Sequence, residues 1–196
     1  MEACMARDCR EAGGSVRTNV LVRDMSVAAP RPDDSRRLEV VANNLPLYGG
    51  AQLAIDTTIV SALRGDGAPR AGASEHPGVA IRHAESKKRR TYPELCGSQA
   101  RARLTIFAVE VGGRWSEEAW RLVRLLARAR ARSEPALLKA SAEAAWKRRW
   151  TAMLAVAAQR AVAQSLLELP PDSGCDSFAM PSTSAVLEDA ACRPCG

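Results

Sequence analysis

The stretch that most constrains the fold is Gln52-Leu53-Ala54-Ile55-Asp56-Thr57-Thr58-Ile59-Val60. Seven of its nine residues are apolar or β-branched, the composition of a buried strand. A side-chain period of two puts Leu53, Ile55, Thr57 and Ile59 on one face and Ala54, Asp56, Thr58 and Val60 on the other. Asp56 is the anomaly. An isolated carboxylate in a core strand is destabilising by several kcal/mol unless it is paired, protonated or bound to a cation. A strand end near solvent or an ion pair with a neighbouring Arg would account for it, and so would a role as a metal ligand. The stretch alone leaves these readings open.

The flanking sequence supplies the rest of a small α/β domain. Asn19–Met25 reads as a short strand, broken by the Pro/Asp/Ser-rich residues 29–35. Arg37–Ala42 is a second strand, with Glu39 pointing opposite to Leu38 and Val40. Residues 43–50 are turn material leading into the central stretch, so the three strands form an antiparallel meander. Residues 61–76 hold three Gly and one Pro without an apolar repeat: a loop, or a flap over one edge. Pro77 opens a helix to about Arg90, with Ala80, Ala84 and Lys87 on one face and Ile81 and Lys88 alongside. Its closing run Lys87-Lys88-Arg89-Arg90 complements the helix dipole. Arg103–Glu110 is the fourth strand, carrying a second carboxylate, Glu110, at its end.

From Ser116 the chain turns helical, with Ser116 as N-cap and Glu117 and Glu118 in the first turn. Arg121, Arg124, Arg128 and Arg132 fall on one face and Leu122, Leu125, Leu126 and Ala129 on the other. Such a stripe tracks a phosphate backbone or is simply a solvated face. Ser133-Glu134-Pro135 starts a long helix through Leu167, with Leu138, Ala142, Trp146, Met153, Val156 and Ala157 inward. Trp146 and Trp150 read as packing residues rather than base-stacking platforms. The expected organisation is a disordered tail over 1–17, one α/β domain over 18–169 and a disordered tail over 170–196. The domain would hold a mixed sheet of about four strands followed by two C-terminal helices.

Charge adds a weak pointer. The net charge is +6, and the 28 basic residues comprise 24 Arg and 4 Lys. Arginine's planar fork suits phosphate, but a GC-rich coding sequence enriches Arg in the same way. The six cysteines are Cys4, Cys9, Cys96, Cys175, Cys192 and Cys195, five of them in the expected tails. Cys192-x-x-Cys195 is half of a zinc knuckle, yet His76 and His83 are distant and there is no second pair at that spacing. The N-terminus is polar and charged, unlike a signal peptide, and no apolar run approaches the roughly 20 residues of a membrane span. A reducing intracellular compartment, nuclear or cytoplasmic, is the expectation.

The order strand, strand, strand, helix, strand, helix, helix, with carboxylates on strands two, three and four, resembles the core of the PD-(D/E)XK nuclease superfamily. More closely, RRLEVVANNLPLYGGAQLAIDTTIVSAL, KKRRTYPEL and LTIFAVEVGGRWSEEA resemble a domain found after the reverse transcriptase in some eukaryotic retroelements. The likeness covers about residues 19–169. It implies a restriction-endonuclease-like core in which acids hold a divalent cation and a lysine positions the attacking water. Residue by residue, Asp56 matches the central metal-binding acid, and Glu39 stands where an Asp is usual. Thr58 occupies the place of the superfamily's lysine, and Lys88, four residues before Tyr92, would be the relocated one, with Lys87 as substitute. Glu110 matches the acid of the last strand. No Tyr-x-Asp-Asp polymerase motif is present.

The resemblance therefore implies a Mg²⁺- or Mn²⁺-dependent DNA endonuclease domain. Asp56, Glu39 and Glu110 are its acids, Lys88 serves the water, and Arg121, Arg124, Arg128 and Lys87 contact the DNA, or RNA. That reading requires Glu39, Asp56 and Lys88 to converge. A catalytically inactive nucleic-acid-binding module or retroelement relic is the alternative, and a helical protein-interaction module is the third.

Overall fold

Strand β3 (Gln52–Val60) takes the bounds its composition predicts and occupies an interior position in the sheet. The computed structural model describes residues 1–27, 32–97, 100–167 and 184. Before β3 come helix α1 (Glu2–Glu11) and strands β1 (Ser15–Leu21) and β2 (Arg37–Asn43). After it come helix α2 (Val79–Thr91), strand β4 (Ala102–Glu110), and helices α3 (Glu117–Ala131) and α4 (Lys139–Leu166). The four strands lie in the order β1-β2-β3-β4. β1, β2 and β3 pair antiparallel, as the meander requires, and β4 pairs parallel to β3 from Gln52↔Ala102 to Val60↔Glu110. A parallel neighbour needs a crossover, and α2 is that crossover.

The sheet is covered on both faces. Leu53, Ile55, Phe107 and Val109 point into a core shared with α1, α3 and α4, while Ala54, Ile106 and Ala108 meet Ile81 and Tyr92 on the α2 side. The mixed α/β architecture is thus a three-layer one, with the period-two alternation of β3 and β4 feeding two separate cores. Ser116 caps α3 as its sequence predicts, accepting from the Ala119 N–H at 3.0 Å. Trp146 and Trp150 are both fully buried, so they are packing residues.

Three readings are corrected. The residues expected as a disordered tail form α1 and the start of β1, with Cys4, Met5 and Cys9 in the core. The first strand begins at Ser15 rather than Asn19, and Val22–Asp24 form a 3-10 turn. On α4, Leu138 is exposed and Val156 is 56 % exposed, whereas Trp150 and Leu154 face inward. The inward stripe of α4 therefore runs Ala142, Ala145, Trp146, Trp150, Leu154, Ala158. The expected C-terminal tail, including Cys175, Cys192 and Cys195, lies outside the described residues apart from residue 184. No helix among the described residues is long and apolar enough to cross a membrane.

Candidate functional site

The site forms where β2 and β3 separate. Their ladder runs from Ala42↔Leu53 to Val40↔Ile55 and ends there, so Glu39 and Asp56 are the next residues beyond the last bridged pair. On its other side β2 is irregular at the same point. Thr18↔Val40 and Val20↔Leu38 are bridged, but Asn19 and Glu39 between them are not, and Asn19 has φ of +53°. Val40 consequently joins the core under α3 and α4, while Leu38 joins the one under α2. Regular alternation would have put both on one face. Such a break in pairing is a way to re-aim one side chain.

Glu39 is that side chain. Its carboxylate accepts from the backbone N–H of Thr57 at 2.9 Å and from the Thr57 hydroxyl, across the gap the ladder leaves. It also lines a groove of about 680 Å³ with Met1 and Glu2 beside α1 and Val162 and Leu166 of α4. Burial and the nearby Glu39 charge hold the Glu2 carboxyl above its ordinary range.

Asp56 turns the other way, toward α2. Its Oδ1 accepts from Lys88 Nζ at 2.8 Å, and it is 2 % exposed. Its Oδ2 is buried without a hydrogen-bond partner. Lys88 is held over Asp56 by the last turn of α2. The Tyr92 hydroxyl donates to the carbonyl of Arg37 at 2.9 Å, and the Arg36 guanidinium donates to the Thr91 carbonyl and pairs with Glu94 at 2.7 Å. Burial and the Asp56 charge push the Tyr92 phenol above its ordinary pKa. Tyr92→Phe should lose one net hydrogen bond, about 1 kcal/mol in urea unfolding, while keeping the ring against Leu95 and Ile106. A loss within error would show that Arg36 alone fixes the helix end.

The structure thus brings Asp56 and Lys88 together but turns Glu39 to the opposite face of the sheet, onto Thr57, so the three side chains do not converge as the nuclease reading requires. Lys87 is exposed and is not the partner of Asp56. Glu110 is four residues beyond the Asp56↔Ile106 pair, roughly 13 Å along the strand, and is engaged by Arg114 at 3.1 Å. Arg121 is exposed, while Arg124 pairs with Glu117 at 3.2 Å and Arg128 with Glu143 at 3.6 Å. Among the described residues no three or more His, Cys, Asp or Glu side chains cluster as a ready-made metal cage. Mg²⁺, however, is commonly held by one or two carboxylates with waters and phosphate oxygens completing the shell. The orphaned Asp56 Oδ2 is the kind of donor such a cation satisfies. Sequence reasoning missed Thr57 as the holder of Glu39 and Arg36 as the staple of α2, and neither position carries a motif signal. In comparisons with known proteins, no family model and no curated protein matches the chain.

Proposed function

We propose that this is a nuclease-like domain of retroelement type that hydrolyses DNA phosphodiesters with a divalent cation. The observation that carries the reading is the Lys88–Asp56 contact at 2.8 Å. A lysine 32 positions away in sequence meets the one acid buried in β3, beside the end of the β2/β3 ladder. The element order and the parallel β3/β4 pair support a restriction-endonuclease-like core.

Asp56 Oδ2 would supply the protein's oxygen to Mg²⁺ or Mn²⁺, with waters and phosphate oxygens completing the shell, while Glu39, on the opposite face of the sheet, would join only by leaving Thr57. Bound there, the cation would polarise the phosphate and lower the pKa of its water. The chain's own part is positioning. An ammonium has three donors, and the one spent on Asp56 leaves two for a water or a phosphate oxygen. Lys88 then places positive charge where the phosphate gathers negative charge.

The engagement of Glu39 by Thr57 favours a second reading, nucleic-acid binding without cleavage, because it withholds one acid from Asp56. Supercoiled plasmid incubated with Mg²⁺ or Mn²⁺ separates the two. Nicking by the wild type, reduced at least a hundredfold in Asp56→Ala, is the expected outcome. Retarded but uncut plasmid would replace the first reading with the second.

A further inference from the structure

A second feature of the molecule lies along the outer edge of β4, away from the Asp56–Lys88 pair. β4 is the last strand of the sheet, and among the described residues it is covered from outside at its end, by the Val109↔Trp115 bridge. Between α2 on one face and the start of α3 on the other, this edge carries a groove of about 640 Å³. Five arginines line it: Arg82, Arg89, Arg103, Arg114 and Arg121. Three acids share the lining, Glu85, Glu117 and Glu118.

The pairing inside the groove decides its net character. Glu118 holds Arg89 at 2.7 Å, and Arg114 is held by Glu110 at 3.1 Å from outside the lining. Glu117 turns to Arg124 at 3.2 Å. Arg82, Arg103 and Arg121 are in no ion pair with a described carboxylate. Arg103 instead sits over the Tyr48 ring, 4.5 Å from its centroid. Three guanidinium groups thus face one groove with Glu85 as the remaining acid, whose carboxyl burial and the Glu118 charge already hold above its ordinary range.

Aromatic surface lies beside this charge. Trp115 packs edge-on against Phe107 at 5.1 Å and stacks on Trp120 at 4.8 Å. Trp115 lines the groove and is buried, while Trp120, stacked on it just outside the lining, remains 38 % exposed. A cationic groove adjoined by a rigidly backed, exposed indole is the chemistry that holds a single nucleic-acid strand: guanidinium on phosphate, ring on base. A peptide occupying the same edge would meet the arginines with a neutral backbone and leave them unmatched.

We infer that the β4-edge groove is a binding site for a single-stranded nucleic acid, with Arg82, Arg103 and Arg121 on phosphates and Trp120 as a stacking platform. The inference rests on the nucleic-acid reading above and gives it a location. Arg82 and Arg89 lie on one face of α2 and Lys88 on the adjoining one, so the groove and the Asp56–Lys88 pair share that helix without sharing a lining.

The test is fluorescence anisotropy of fluorescein-labelled oligo(dT) with the full chain in EDTA, where cleavage is switched off. Arg82→Ala/Arg121→Ala is expected to weaken binding about tenfold and to reduce the salt slope by roughly 1.4, two released phosphate contacts on a single strand. Trp120→Ala is expected to weaken it at least fivefold with the slope unchanged, since stacking releases no counterions. All three positions are exposed, and unchanged melting temperatures would confirm intact folds. Wild-type affinity and slope in both variants would overturn the groove, as would absence of oligo(dT) binding or equal displacement by poly-glutamate. The cleavage reading fails separately. Variants that lose binding while the wild type never nicks plasmid leave the groove standing without the nuclease. Nicking by the wild type with unaltered binding in the variants does the reverse.

Discussion

Lys88→Met is expected to destabilise the fold by about 3 kcal/mol at neutral pH, while Asp56→Asn changes it by about 1 kcal/mol or less. The asymmetry comes from where the two ends of the contact lie. The Asp56 side chain is fully enclosed, whereas Lys88 is 31 % exposed in its side chain. Without Asp56 the ammonium swings into water at little cost. Without Lys88 the carboxylate has one orphaned oxygen already and would have a second, in a site it cannot leave. Urea unfolding of the two variants at pH 7 reads the difference. Equal destabilisation at pH 7 would mean that the contact is not buried as described.

How much of this was legible in the sequence depends on what each element owes to local chemistry. β3 is readable to the residue because its nine positions are almost all β-formers between a Gly-Gly turn and a Gly-rich loop. α3 is readable from Ser116 and its two following glutamates, because a cap is a local event. The Lys88–Asp56 contact is half legible. The four-residue spacing from Lys88 to Tyr92 puts both on one side of a helix, but only the Tyr92 and Arg36 contacts to the chain around β2 bring that side over Asp56. The pairing of Glu39 with Thr57 was not legible, because it depends on a strand irregularity centred on Asn19 that no composition rule announces. α1 was missed for a different reason. Met5, Cys9 and Ala12 mark a helical stripe, but Asp8 and Glu11 are buried with it and interrupt its apolar signature. The following Gly13-Gly14 pair, which reads as disorder, is the helix terminator. Gly13 has φ of +95°, and the Gly14 N–H donates to the Cys9 carbonyl at 2.9 Å.

That buried polar face of α1 should make the protein lose stability as pH rises, and Asp8→Ala should remove the loss. Asp8 is 1 % exposed, and neither carboxyl oxygen has a hydrogen-bond partner. Burial first, and the Glu11 charge second, hold its carboxyl well above the ordinary range, with Arg7 and Arg149 opposing them. Glu11 is otherwise provided for. It accepts from Trp150 Nε1 at 2.6 Å and lies 3.8 Å from both Arg7 and Arg149, so those cations keep a partner when Asp8 is gone. Because the native Asp8 stays protonated where the unfolded chain has ionised, its contribution is fully present below about pH 4. It declines as pH climbs toward the raised native value. Asp8→Ala deletes that titration and the two orphaned acceptors, and puts a better helix former in the middle of α1. The variant should be about 2 kcal/mol more stable than the wild type at pH 8, with the advantage shrinking toward pH 4. Thermal or urea unfolding across that range is the measurement. A destabilised variant at pH 8 would mean that the ionised Asp8 is an integral partner of Arg7 and Arg149, and that α1 is held to α4 by charge rather than in spite of it.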